Sequence, residues 1–386
     1  MDITRIDLFM PPYAEYGALS YFTKELNEAL KRCGVSTRIL VAERKNPKPF
    51  LEALLGQPPQ CTLSFNGLLP DKSGVFFCDL IKIPHVALLI ESPIQFLSLT
   101  HSKRNIIGCP DSYFEDFLRG INFPNVISFP HAVGRDLQPK KDRQLKLEIS
   151  FFGTCIDYQE IQAEWKNRYP KELCALMHQT VESSLDEPDR SLAELFVGLI
   201  NQQEGRSDAI DIDKVEILEV LSTLEHVISG KERAELISAI DGHKIAVFGG
   251  GPWENVLKGK KNVTFQGPIP FEAALEAMEC SKIVLDSSPL LKKGIHERIL
   301  AAFAAGSLPL TGRTTFKENT LPEALFFDYG FEGINQTLDE YLKDDEKRNS
   351  LSQKGREVVM KNHTFDSRAK HLLSQLSSLL QKEFAS

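Results

Sequence analysis

The chain alternates short apolar segments with segments of helical periodicity, and it does so in two separate regions. The first region contains six short segments that are apolar on both faces: "ITRIDLFM", "STRILVAE", "CTLSFNG", "HVALLIES", "NIIGCP" and "NVISFP". Strands of this kind are typical of parallel sheets that helices cover on both sides. A helical segment, "LSYFTKELNEALKRCG", lies between the first two and ends near Gly34. Residues 1–140 are therefore predicted to form one Rossmann-like domain.

The same alternation returns in the second region. Its strand-like segments are "ISFFGT", "HKIAVFGGG", "NVTFQG", "KIVLDSS", "SLPLTG" and "EALFFD". A polar stretch around Pro139 precedes them and is the best domain boundary. Residues 158–241 have helical spacing without a clear strand, which predicts a helical insertion, and residues 337–386 predict C-terminal helices. The second Rossmann-like domain is therefore expected to cover residues 141–386.

The length of the chain agrees with this division, because 386 residues exceed what one ordinary core holds. The predicted fold class is α/β, with two Rossmann-like parallel-sheet domains that face a central cleft. Ligands of open α/β sheets bind beyond the carboxyl ends of the strands. A ligand is therefore expected in the cleft between the two domains.

Charge and cysteine usage exclude several classes of protein. The net charge of −8 favours neither nucleic acid nor an anionic membrane as partner. The seven cysteines form no C-x-x-C pair, which predicts reduced thiols in a cytoplasmic protein rather than disulfides or a zinc site. The segment "MDITRIDLFM" lacks the pattern of a signal peptide.

The most apolar span of the chain, "GVFFCDLIKIPHVALLIESPIQFL", contains charged residues and prolines. A membrane helix tolerates such residues poorly, so no transmembrane segment is expected. The span is instead predicted to form two buried strands.

The stretch "LLKKGIHERILAAFAAGSLPLTGRT" at residues 290–314 points to an anion site. If "IHERILAAFAAG" is a helix, its free backbone N–H groups and the positive end of its dipole face the loop that contains Gly294. Lys292 and Lys293 add positive charge to this loop, and Arg298 can supply a bidentate contact. The alternative is a solvated first turn in which Glu297 only complements the helix dipole.

Several pieces of the chain together resemble glycosyltransferases of the GT-B fold, specifically the group 1 type linked to CgeB-like proteins. These pieces are "FNG", "LLIESP", "FPHAV", "ISFFGT", "VFGGGP", "KKGIHERILAAFAAGSLPLT" and "KNHTFDSRAKHLL". The resemblance implies a bacterial enzyme that transfers a sugar from a nucleotide sugar of UDP or GDP type to a glycan, a lipid-linked sugar or a protein. It also implies that no metal is needed, since the helix dipole and basic side chains neutralise the leaving diphosphate.

The resemblance suggests roles for individual residues. A diphosphate fits at Gly294, and His296 is placed to donate to a phosphate oxygen as the sugar–phosphate bond breaks. Glu91, at the carboxyl end of a strand, is a candidate general base or sugar ligand. His131, in "FPHAV", is a candidate for the cleft. For Glu91 and His131, a structural role as a turn cap or a buried side chain is the alternative.

Glycines are the weaker candidates. Gly249, Gly250 and Gly251 suit a backbone that approaches a nucleotide, and Gly267 resembles the turn that receives the base. Gly17 would let the first loop approach the phosphates. A plain turn is the alternative for each of them. The D-x-D at Asp211 and Asp213 lies in the predicted insertion without a preceding strand, so no metal site is predicted there.

One departure from the family pattern limits the mechanism. Many retaining members carry Glu-x7-Glu at this helix, whereas the aligned positions here hold Lys293 and Ala301. The stereochemistry of transfer is therefore left open. Two further functions are alternatives to transfer: a GT-B-like epimerase that acts on the nucleotide sugar, and a non-catalytic protein that binds it.

Overall fold

The structure is a computed structural model that describes residues 2–11, 16–42, 46–202 and 216–383. Contacts divide the chain into two compact units, one of Met1–Leu137 with Met360–Ser386 and one of Gln138–Val359. The first boundary lies three residues from the one predicted at residue 140. The second boundary differs from the prediction, because the chain from Met360 onward packs with the first unit.

The first unit contains a six-stranded parallel sheet in the order β2-β1-β3-β4-β5-β6. Its strands are β1 (Arg5–Phe9), β2 (Ser36–Leu40), β3 (Cys61–Phe65), β4 (His85–Leu88), β5 (Asn105–Cys109) and β6 (Val126–Ser128). Its helices are α1 (Ala18–Arg32), α2 (Lys48–Gly56), α3 (Phe77–Ile81), a 3-10 helix (Pro93–His101), α4 (Ser112–Gly120) and, from the end of the chain, α15 (Phe365–Glu383).

The last helix belongs to this unit for specific reasons. Helix α15 packs on α1, and the guanidinium of Arg32 donates two hydrogen bonds of 2.7 Å to the carboxylate of Asp366. The side-chain amide of Gln375 bonds both backbone groups of Ser128 in β6. These contacts join residues more than 200 positions apart in the sequence, so periodicity could not assign the helix to a domain.

The apolar span predicted as two buried strands contains only one. Residues His85–Leu88 form β4, whereas Phe77–Ile81 form the short helix α3. Phe77 and Ile81 lie one helical turn apart on the same face of α3, and both pack on the apolar cluster around Phe9. The helix ends at Lys82, whose φ of 57° turns the chain toward β4.

The second unit contains a second six-stranded parallel sheet, in the order β12-β11-β10-β7-β8-β9. Its strands are β7 (Leu147–Phe152), β8 (Ile245–Phe248), β9 (Val263–Gly267), β10 (Ser281–Asp286), β11 (Leu308–Gly312) and β12 (Leu325–Phe327). Between β7 and β8 lie α5 (Tyr158–Arg168), α6 (Lys171–Asp186), α7 (Leu192–Asn201) and α8 (Ile217–Ala239). The remaining helices are α9 (Trp253–Val256), α10 (Phe271–Glu279), α11 (Glu297–Ala304), α12 (Thr315–Thr320), α13 (Ile334–Lys343) and α14 (Asp345–Asn362).

The predicted α/β class with two Rossmann-like parallel sheets is confirmed by these two sheets and their flanking helices. Each of the twelve predicted strand segments overlaps a strand, and the described part of the insertion predicted at 158–241 contains four helices and no strand. The four insertion helices pack on one another, with α8 in contact with α5, α6 and α7. No helix within the described ranges is both long and apolar enough to cross a membrane.

Candidate functional site

The carboxyl ends of the strands in the second unit form one edge, because the sheet is parallel throughout. Thr154 follows β7, Gly249–Gly251 follow β8, and Asp286–Ser288 end and follow β10. Helix α11 begins at this edge, since it starts after β10 and packs back on β10 and β11. The edge is where a ligand of such a sheet is expected to bind.

His296 caps the amino end of α11. Its Nδ1 accepts a hydrogen bond of 3.2 Å from the backbone N–H of Arg298. In the neutral imidazole the proton is therefore assigned to Nε2, which is then the donor. The Nδ1 also lies 3.0 Å from Oε2 of Glu297, so an imidazolium would have a carboxylate partner within its own helix turn.

Arg298, the predicted bidentate ligand of phosphate, forms an ion pair with a carboxylate of its own unit. Its guanidinium is buried, donates to Oδ1 of Asp286 at 2.7 Å and lies over the ring of Phe151. Ser288 and Thr311 also donate to Oδ2 of the same carboxylate. Burial alone would raise the pKa of Asp286, but Arg298 and other nearby cations outweigh it and hold that pKa well below its usual range. Arg298 therefore fixes a buried carboxylate.

Lys292, predicted to add positive charge to the loop, is a buried cation. It is only 3% exposed, and its Nζ donates to the backbone carbonyl of Ser184 at the end of α6. Lys293 is exposed, and Gly294 is buried. The predicted cluster at the mouth of the helix thus consists of one buried and one exposed lysine.

Lys317 in α12 is a site residue that the sequence interpretation missed. It is 3% exposed, and its Nζ donates to Ser288 Oγ, Thr311 Oγ1 and the carbonyl of Gly312. The signal that could have found it is its place shortly after "SLPLTG", which forms β11, the strand next to β10 in the sheet.

The insertion contributes two further residues that were missed, both from α8. The carboxylate of Glu232 is buried and accepts a hydrogen bond of 2.6 Å from Ser287 Oγ. Burial raises the pKa of Glu232, while Lys317 and Lys292 oppose that rise. Arg233 donates to the carbonyl of Thr154, and burial together with the like charge of Arg298 lowers the pKa of Arg233 to about 10.

The glycines after β8 have a packing reason. A Cβ on Gly249 would lie 2.0 Å from the carbonyl oxygen of Gly153, and one on Gly251 would lie 2.5 Å from that of Cys155. Gly250 accepts a hydrogen bond from the N–H of Cys155. Gly267 has a φ of +70° and open space where a side chain would stand. Close packing of two turns thus explains Gly249 and Gly251.

The candidates of the first unit lie at the carboxyl edge of its own sheet. Gly17 is the N-cap of α1 with a φ of 73°, and Glu91 is exposed just after β4. His131 follows β6, is buried, and lines a small cavity with Phe22 and Phe129. The structure thus places all three at one edge, where the sequence predicted Glu91 to follow a strand.

No metal site is apparent in the described part of the chain, where no group of three or more His, Cys, Asp and Glu residues is arranged to hold an ion. Asp211 and Asp213, the D-x-D of the insertion, lie outside the described residues.

Comparison with known proteins relates the segment that carries this edge to a protein family. Residues 231–374 match the family model described as "Glycosyl transferase-like". This part of the chain is therefore glycosyl transferase-like. The matched range contains α11 and the edge residues Glu232, Arg233, Asp286 and Lys317.

Solved structures share the fold at low sequence identity. A sucrose-phosphate synthase from Thermosynechococcus elongatus is 12% identical with a TM-score of 0.54, and the match covers 99% of both chains. An alpha-glucosyltransferase in complex with UDP-glucose and DNA is 13% identical with a TM-score of 0.58, over 98% of this chain and 99% of that one. T4 phage BGT in complex with UDP-glucose is 10% identical with a TM-score of 0.54, over 98% and 99% of the two chains. These likenesses show the GT-B fold.

A relative in Aquifex aeolicus (strain VF5), described only as an uncharacterized protein, is 22% identical over 239 residues. The match covers 55% of this chain and spans 59% of the relative's length. The family model favours the predicted glycosyltransferase over the epimerase and the non-catalytic binding protein.

Proposed function

We propose that the protein is a glycosyltransferase that takes its sugar from a nucleotide sugar of UDP type. The observation that carries this proposal is that the segment matching the glycosyl transferase-like family holds the charged edge of the second sheet. The solved structures with UDP-glucose, which share the fold, support UDP as the first nucleotide to test.

The charges of the edge suit a leaving diphosphate. Lys292, Lys317, Arg233 and Arg298 supply four positive charges there, whereas Asp286 and Glu232 supply two carboxylates. The amino end of α11 adds the positive end of its dipole. Such fixed charges stabilise the negative charge that develops on the leaving group.

His296 is the proposed proton donor to the diphosphate. Because its Nδ1 accepts from the helix backbone, its Nε2 is the nitrogen that carries the transferable proton in the neutral ring. As the bond between the sugar and the phosphate oxygen breaks, that oxygen gains negative charge and can take a hydrogen bond or the proton from Nε2.

We further propose that the reaction needs no metal, since the cations of the edge supply the neutralising charge. Turnover that is unchanged by EDTA is the expected result. A requirement for added Mg²⁺ or Mn²⁺ would contradict this part of the proposal.

The first unit is the proposed acceptor side. Glu91 is exposed at the carboxyl edge of its sheet, which suits a base that takes the proton from an acceptor hydroxyl. A glycan, a lipid-linked sugar or a protein side chain is the proposed acceptor, and His131 and Gly17 lie at the same edge. The finer assignment to a CgeB-like bacterial enzyme rests on the sequence resemblance, and the proposed cytoplasmic location rests on the cysteine pattern.

A panel of labelled nucleotide sugars tests the proposal. A glycosyltransferase is expected to release UDP by transfer to an acceptor or, without one, by slow hydrolysis. Interconversion of the sugar would instead indicate an epimerase, and saturable binding without any product would indicate a binding protein. Either of these results would overturn the proposed function.

A further inference from the structure

The turn that leads from β10 to α11 is held by the helical insertion at two points. At its start, Ser287 Oγ donates to Oε2 of Glu232 in α8 at 2.6 Å. In its middle, Lys292 Nζ donates to the carbonyl of Ser184 in α6 at 2.8 Å. Four residues beyond Lys292 lies His296, which caps α11.

Glu232 lies between the ends of two neighbouring strands. One oxygen of its carboxylate is bonded to Ser287 after β10, and the other is 3.5 Å from where a Cβ on Gly312 would stand at the end of β11. Glu232, Ser288, Lys292 and Lys317 line one small pocket. A buried carboxylate next to two buried lysines has few alternative positions. The side chain of Glu232 therefore holds its hydrogen-bond donor Ser287 in one place.

We propose that Glu232 is a positioning residue of the sugar-donor site: through Ser287 it fixes residues 287–292 and thereby the approach to the amino end of α11. This inference rests on the proposed function. Small displacements of groups around a reacting centre are costly, since a shift of about 1 Å can lower a rate about a hundredfold. The helical insertion, through α8, then contributes directly to the donor site.

Two variants separate position from charge. Glu232→Asp keeps the negative charge, but it is one methylene shorter and cannot reach Ser287 without a shift of α8. Glu232→Gln loses the charge, but its side-chain carbonyl still accepts from Ser287. If Glu232 acts by position, the Asp variant is impaired and the Gln variant is not. If it acts by charge alone, the Gln variant changes and the Asp variant does not.

The same bond can be removed from the other side. Ser287→Ala deletes the donor without changing any charge and alters the buried volume little. The double variant Glu232→Asp with Ser287→Ala should bind the probes no more weakly than either single variant, because all three lack the same hydrogen bond. Glu235→Asp is the matched control: it makes the same change one turn away in α8, where the carboxylate bonds Tyr329.

Calorimetry with UDP and, separately, with inorganic pyrophosphate is the test, with thermal melting of each variant measured alongside. Glu232→Asp, Ser287→Ala and the double variant are each expected to bind both probes about tenfold more weakly. Glu232→Gln and Glu235→Asp are expected to bind as tightly as the wild type.

Equal affinities for wild type, Glu232→Asp and Ser287→Ala would overturn the inference and leave the proposed function intact. A wild type that binds neither probe would overturn the proposed function, and the inference with it. If Glu232→Asp fails to fold, the result for Ser287→Ala decides.

Discussion

At the scale of single residues, the pair formed by Arg298 and Asp286 is the feature that most changes the sequence interpretation. The sequence predicted Arg298, at the start of a helix, as a bidentate ligand of phosphate. The structure instead buries its guanidinium against a carboxylate that is itself fully buried. The residue that sequence pattern marked as functional is thus also part of the core of the second unit.

Loss of Arg298 should therefore affect stability as well as binding. Arg298→Ala leaves the carboxylate of Asp286 buried without its ion-pair partner, which costs about 3–5 kcal/mol of unfolding free energy. Urea denaturation of the variant measures this loss. Arg313→Ala is the control, because Arg313 pairs with Asp328 at the surface and its loss should cost no more than about 1 kcal/mol. Equal stabilities of the two variants would contradict the buried role.

At the scale of elements, the turns at the carboxyl ends of the strands determine the shape of the site. The turn after β8 packs directly on the turn after β7, and only glycine permits this approach at residue 249.

Gly249→Ala should disturb this pair of turns. The new Cβ would stand 2.0 Å from the carbonyl oxygen of Gly153, so the backbone must shift, and a loss of about 1–3 kcal/mol is expected. Thermal melting measures the change. Gly56→Ala is the matched control, since nothing lies within 4 Å of that position and its stability should be unchanged or higher. A Gly249→Ala protein as stable as the wild type would show that the turns are not packed in this way.

The elements also show what the sequence could predict. The strands were predictable because each is a short apolar run bounded by glycine, proline or charged residues, as in "KIVLDSS". Helix α3 was not, because a five-residue helix and a strand have the same apolar content. The position of α11 at the edge followed from its order after β10.

The members of the site that come from distant segments were beyond sequence reasoning. Glu232 precedes its partner Ser287 by 55 residues, and the helix that carries it shows only the ordinary periodicity of a packed helix. The direction of the Arg298 side chain was equally unpredictable, since it depends on the burial of its partner Asp286 at the end of β10. Backbone placement followed from pattern, whereas side-chain partners required the tertiary structure.

At the scale of the whole molecule, buried histidines should make stability depend on pH. His85 in β4 is fully enclosed, with Thr62 and Ser64 bonded to its two ring nitrogens. Burial lowers the pKa of His85 to about 3 in the folded protein. The neutral ring is therefore the form that the fold accepts.

The sign of the effect follows from that depressed pKa. The contribution of His85 to the free energy of unfolding is fully present above the unfolded pKa of about 6.5. It is lost as the pH falls toward 3, by about 1.4 kcal/mol per pH unit. Unfolding free energies measured from pH 7 to pH 4 should fall more steeply for the wild type than for His85→Gln. His371→Gln, at an exposed position of α15, should retain the wild-type slope. Parallel curves for all three proteins would contradict the buried neutral ring.

Hydrogen–deuterium exchange with and without UDP tests most directly where the nucleotide binds. We predict that saturating UDP slows amide exchange in residues 287–300, at the turn before α11 and its first residues, and around Gly249–Gly251. Protection confined to the first unit, or none at UDP concentrations that saturate binding, would contradict the account.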